Sequence, residues 1–155
     1  MSMTLKPFRD SFRFTIVSAY DDSIDWDKSA IGKDEYLLSD HSEATKLVFK
    51  IECEPTEFVC RMIPAGIFAE LQAMLPLKNE RLDRRRQVRL QIECFRQAVV
   101  EIRRAEGWDP ELWTAEDGTI KQDAIDRSVI DQEVVQEIGF AAFMRQALSK
   151  QQAKN

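Results

Sequence analysis

An α+β fold is what this sequence predicts: one domain over 1–155 in which a small antiparallel sheet packs against three helices. Three observations predict it. Apolar and polar residues alternate with period 2 at 12–17 and again through 46–63. Three later stretches place apolar residues three and four positions apart, the spacing of one helix face. With 155 residues, 44% of them apolar, the chain can bury roughly two-thirds of the surface it exposes when unfolded, so it needs no disulfide or metal to fold.

The first strand is Phe12-Arg13-Phe14-Thr15-Ile16-Val17, which ends before an acidic stretch. Between 18 and 45 the chain carries Asp21, Asp22, Asp25, Asp27, Asp34 and Asp40 with few periodic apolar positions. It is expected to be a polar surface excursion, tacked to the body by Trp26, Ile31, Tyr36 and Leu37. A hairpin at 46–63 follows, with Glu54-Pro55-Thr56-Glu57 as its connection. Cys53 then opposes Phe58, Ile51 opposes Cys60 and Phe49 opposes Met62, all on one core-facing side.

Pro64 suits the first turn of a helix over about 64–75, with Ile67, Leu71 and Met74 or Leu75 inward and Pro76 ending it. Asn79 is a reasonable cap for a longer helix over about 79–106, where Val88, Ile92, Phe95, Val99 and Ile102 repeat at steps of four and three before Gly107. The segment Trp108 to Ile125 reads as irregular, with turns at Asp109-Pro110 and Asp117-Gly118. A last helix over about 128–149 shows Ile130, Val134, Ile138, Ala141 and Leu148 on one side, and its tail from about 150 should fray. Through Gly139–Met144 it is apolar almost all round. Such a turn is either enclosed by the rest of the domain or left facing another chain, which marks Phe140, Phe143 and Met144 as candidates for client binding or homo-oligomer contact.

The net charge of −5 is unevenly spread. Residues 78–106 carry 9 basic and 5 acidic groups, whereas 107–137 carry 2 and 9. Either the basic helix lies beside the acidic connection in the monomer, or each faces a partner of opposite sign. The densest cluster is Arg81, Arg84, Arg85, Arg86 and Arg89. Guanidinium forks of that density can grip phosphates, yet Glu80–Arg84, Asp83–Arg86 and Arg89–Glu93 stand at intrahelical pairing distance, no aromatic residues are interleaved, and the chain is acidic. Protein contacts through Arg84, Arg85 and Arg89 are favoured over nucleic acid.

Nothing in the sequence nominates an enzyme or a cofactor. The single histidine, His41, sits in a polar stretch, no serine or cysteine lies in a nucleophile motif, and the glycine-rich phosphate loops and HExxH zinc helix are absent. The acidic run Asp21 to Asp27 lacks the glycine and glutamate of an EF-hand loop and reads as a solvated loop rather than a metal site. Three cysteines without a CxxC, an N-terminus without a secretory apolar core and no apolar run of about 20 residues point to a reducing, cytoplasmic setting away from membranes.

From Thr45 onward the order of elements resembles the small tail-assembly chaperones of long-tailed bacteriophages. The residues that carry the likeness are Glu57-Phe58-Val59-Cys60-Arg61-Met62-Ile63-Pro64 with the short helix behind it, the long amphipathic helix, Gly107-Trp108, the turn Glu116-Asp117-Gly118-Thr119-Ile120, and the closing helix entered through Val129-Ile130-Asp131. The resemblance implies a non-enzymatic protein of the host cytoplasm that binds the tape-measure protein, keeps it soluble and helps recruit tail-tube subunits. Two other classes stand beside it: a structural virion component such as a tail, connector or capsid-associated subunit, and a small nucleic-acid-binding regulator using the Arg81–Arg89 cluster.

Overall fold

The structure, a computed structural model, describes residues 13–31, 36–39, 45–76, 81 and 83–154, with side chains described except at 30, 31, 36, 37, 45, 46 and 149–154. The architecture is α+β. Strand β1 (Arg13–Val17) falls where the alternation places it, and it is followed by β2 (Ala30–Ile31), β3 (Tyr36–Leu38), β4 (Thr45–Lys46) and β5 (Glu57–Arg61). Then come α1 (Ala65–Gln72), α2 (Arg84–Ala98), β6 (Val99–Arg103), α3 (Pro110–Trp113), α4 (Gln122–Asp126) and α5 (Gln132–Lys154).

The main sheet has the order β3-β1-β5-β6, antiparallel except for the parallel pair β1 and β3, while β2 and β4 form a separate two-stranded ladder. Strand β5 is central and buried at every position. Phe58 and Cys60 point toward the helices, where they meet Phe14 and Ile16 of β1 and Phe95 of α2; the Phe58 and Phe95 rings lie edge to face at 6.0 Å. On the opposite side of β5, Glu57 is ion-paired with Arg104, and Arg61 Nε donates to the Gln97 carbonyl at 2.9 Å, so its buried charges are partnered.

The expected hairpin over 46–63 does not form. Both edges of β5 are occupied by distant strands: Phe14 stands opposite Cys60 on one side and Ile102 opposite Phe58 on the other. The 46–53 arm therefore turns away. The Lys50 amide donates to Ser23 O and the Asp25 amide to Val48 O, both at 2.8 Å. Glu52 takes a left-handed φ of 62°, and Ile51 and Cys53 end in solvent, Ile51 at 88% exposure. Leu47 and Phe49 join Val17, Ile24 and Leu38 in a second, smaller apolar cluster. The excursion at 18–45 thus includes residues that build a satellite core, and Ser39 Oγ accepts from the Ala19 amide at 2.8 Å. Trp26 is exposed, while His41 and the side chains of Ile31, Tyr36 and Leu37 lie outside the described residues.

The short helix is α1, with Phe68 and Leu71 buried. The long helix expected over 79–106 ends at Ala98 and passes without a loop into β6. The sequence spacing is ambiguous here because a β-bulge lies between Val59 and Cys60 in the register: Val59 faces Glu101, but Cys60 faces Val99, leaving Val100 as the extra residue. Val99 and Ile102 consequently both reach the core although they stand three residues apart. That is also the step of a helix face. The cap is Asp83, whose carboxylate accepts from the Arg85 amide at 3.0 Å; Asn79 lies outside the described residues.

The segment expected to be irregular contains two short helices and a tight hairpin. Gly118 at φ 87° makes the turn, the Ala115 amide donates to Thr119 O, Thr114 and Ile120 form a bridge, and Asp117 Oδ1 accepts from the Thr119 amide and hydroxyl. Helix α5 starts at Gln132 rather than Ser128, because Ser128 has a left-handed φ of 52° and Asp131 accepts from the Glu133 amide at 2.8 Å. Its backbone stays helical to Lys154, beyond the expected fraying point.

Helices α5 and α2 cross at Gly139. A Cβ there would overlap the Gln91 carbonyl oxygen and stand 3.0 Å from the Phe95 nitrogen, so only glycine admits this approach. Further along α5, the buried amide of Gln146 accepts from the Ile63 N–H at 2.7 Å and donates to the Ile63 C=O at 2.8 Å. One side chain thereby satisfies both backbone groups just past the end of β5.

Candidate protein-binding surface

Helix α5 and the start of α2 decide what this surface can hold. Phe143 does not belong to it: the ring is 2% exposed and packs 5.1 Å from Phe68, so one of the three candidate apolar residues is core. Met144 is partly buried against the same core. Phe140 is the exception. At 38% exposure it stands one helical step from the closest approach of α5 to α2, on the side where α1 has ended. Met74, Leu75 and Pro76 from the turn after α1, with Leu90 and Gln87 from α2, complete a groove of about 250 Å³ around it. Asp83 and Arg86 form its polar edge.

Beside this groove, Arg84, Arg85 and Arg89 line a shallow depression with Asp83 and Val88. All three arginines are exposed. The intrahelical pairs expected for the cluster are not those observed: Asp83 caps the helix through the Arg85 amide, and Glu93 bonds Arg96 at 2.8 Å and Gln97 at 3.2 Å instead of reaching Arg89. Glu80 lies outside the described residues. Nor do Arg84, Arg85 and Arg89 pair with the acidic 107–137 segment among the described residues. Its described ion pair, Asp123 with Arg127, is local, and Arg96 meets that segment through backbone groups: its Nε donates to the Ile120 carbonyl at 2.8 Å and its own carbonyl accepts from the Ile120 amide at 3.1 Å. Among the described residues, Arg84, Arg85 and Arg89 show no ion pair.

The arrangement offers greasy contact area with a cationic edge, and an exposed ring on a rigid helix contributes area at small entropic cost. The two buried thiols are poorly suited to nucleophilic chemistry. Burial pushes Cys94 up to about 12, with the Glu93 charge adding to the effect, and burial raises Cys60 further while Arg145 opposes it in part. No group of three or more metal-ligating side chains occurs among the described residues. In the Asp21–Asp27 loop, Asp21 accepts from the Ser23 amide and hydroxyl and the Thr56 amide, while Asp25 accepts from the Asp27 amide. Those carboxylates hold turns.

A second concavity was not read from the sequence. Tyr20, Trp108, Phe58, Ile102, Ile130 and Val134 line a cleft of about 280 Å³ near the start of α5. The available signal was Gly107-Trp108 after an apolar stripe, but Tyr20 enters from a segment more than 80 positions away, which no local pattern reports. The chain matches no protein-family model, no curated protein and no solved structure. No helix among the described residues is long and apolar enough to cross a membrane.

Proposed function

We propose that this protein is a non-enzymatic assembly chaperone of a long-tailed bacteriophage, working in the host cytoplasm. It holds an amphipathic helical segment of the tape-measure protein in the Phe140 groove and helps recruit tail-tube subunits around it. The single observation that carries this reading is the juxtaposition of that groove with arginines that have no ion-pair partner among the described residues. A helix whose apolar stripe is bordered by Asp or Glu fits both, with the stripe against Phe140, Leu75 and Leu90 and the carboxylates toward Arg84, Arg85 and Arg89. A contact of this size is reversible, as a chaperone requires. Of the elements behind the resemblance, the short helix, the 116–120 turn and the closing helix stand as folded units, the long helix is shortened, and the hairpin is replaced by β5 between two distant strands.

The test is co-expression with the tape-measure protein followed by affinity capture. Wild type should retain the client in soluble form, whereas Phe140→Ser and Arg84→Glu combined with Arg89→Glu should each lose it while remaining folded. Mass spectrometry of purified particles should find the chain absent. A stoichiometric amount there would make it a structural virion component, and a salt-sensitive mobility shift with DNA that needs Arg84, Arg85 and Arg89 would make it a nucleic-acid regulator.

A further inference from the structure

The cleft between Tyr20 and Trp108 differs in character from the Phe140 groove. Its floor is Phe58, Ile102, Ile130 and Val134, its rim carries Asp21 and Glu106, and none of the described basic residues lines it. Both aromatic walls stand on pinned turns. The Tyr20 amide donates to Ser18 Oγ at 3.2 Å and the neighbouring Ala19 amide to Ser39 Oγ and Glu137 Oε1, which anchors the backbone at Tyr20 while its ring stays 81% exposed. Trp108 follows Gly107, whose φ of 77° closes a turn in which the Trp108 amide donates to Ala105 O at 3.2 Å. A large aromatic on an anchored backbone has only two side-chain torsions left to order on binding.

We infer that this cleft is a second docking site, for a partner segment that carries a large apolar side chain next to a lysine or arginine. The apolar side chain fills the floor between the two rings; the neighbouring cation meets Glu106 and Asp21, and the excess of acidic groups in 107–137 attracts it from a distance. Charge complementarity selects this occupant: acid-bordered segments suit the arginine side of the molecule, and base-bordered ones suit this side. The inference does not rest on the tail-assembly reading, because it concerns other residues and the opposite charge.

Fluorescence anisotropy with a short labelled peptide repeating Lys-Leu-Ala tests it, with Glu-Leu-Ala and Lys-Ser-Ala repeats as controls. The Lys-Leu-Ala peptide should bind about tenfold or more tighter than either control, and Glu106→Lys and Trp108→Ala should each weaken it about tenfold. Arg84→Glu should leave it unchanged. Amide NMR shifts should centre on Tyr20, Ala105 and Ile130. Should Trp108→Ala unfold, Tyr20→Ala removes the other wall without touching the core and should give the same loss. Equal affinity for Glu-Leu-Ala, shifts centred on Phe140, or no binding would overturn the proposal. So would self-association that Arg89→Glu abolishes and that competes with the peptide, since the occupant would then be a second copy.

Discussion

Two apolar clusters on either side of the β1 strand are stabilised in different ways. The main core joins strands β1, β5 and β6 to α1, α2, α4 and α5, with Phe68, Phe95, Ile120, Ile125, Val135 and Ile138 essentially inaccessible. Among the described residues the satellite comprises Val17, Ile24, Leu38 and Leu47 with Phe49 beside them, and its chain is held largely by polar turns around Asp21, Asp25 and Ser29. The contrast predicts two levels of cooperativity. Opening the main core is global unfolding, whereas the satellite can open by itself.

Substitutions at the α2–α5 crossing should have the largest effect. Phe95→Ala should cost about 3–5 kcal/mol in denaturant midpoints, and Gly139→Leu should prevent native packing, seen as loss of the near-ultraviolet circular dichroism. Next comes Gln146→Leu, which strips both Ile63 backbone groups of their partner and should cost about 2–4 kcal/mol. Leu38→Ala should cost about 2 kcal/mol, and hydrogen exchange should speed first at 17–25 and 47–50 while α2 and α5 stay protected. Smallest of all, Phe140→Ser should shift stability by only about 0.5 kcal/mol while removing client capture, separating surface from scaffold.

Thiol chemistry sharpens the same comparison. Cys53 is exposed and should react at once with a disulfide reagent, whereas Cys60 and Cys94 should react only through global opening. Their folded pKa values are raised, so the stability that their burial as neutral thiols preserves is complete below the ordinary value of 9.0 and falls as pH climbs toward about 12, where the unfolded chain has released protons that the folded Cys94 still holds. Denaturation midpoints at pH 7 and pH 10 read that decline directly.

Much of the helical scaffold was legible because α1, α5 and the first part of α2 present apolar faces at helical spacing, and β1 was legible from its alternation. What was not legible was pairing. The 46–53 arm has good alternation, but a strand pattern does not name its partner, and β5 is claimed by residues about 40 positions away on either side. The bulge opposite Cys60 gives Val99 and Ile102 a helix-like step, so the end of α2 was hidden by geometry shared between two structures. At the candidate surface, the sequence marked the Arg81–Arg89 cluster and the apolar turn at 139–144 without distinguishing Phe140 from its neighbours. Phe143 was misplaced because an all-apolar turn does not reveal which side is enclosed, and Phe68 encloses that one.

The position of β5 has a consequence for biosynthesis. The strand is made well before one of its partners, so that flank stays bare until Val99–Arg103 has been made, and the Gln146 clasp on Ile63 comes later still, with α5. The nascent chain therefore carries an open, apolar sheet edge until β6 has emerged, and the core beneath the sheet closes only when α5 follows. A stop codon ahead of α5 leaves β5 paired with β6 but strips the cover from Phe68 and Phe95 and the clasp from Ile63, and the product is expected to aggregate rather than persist as a smaller soluble domain.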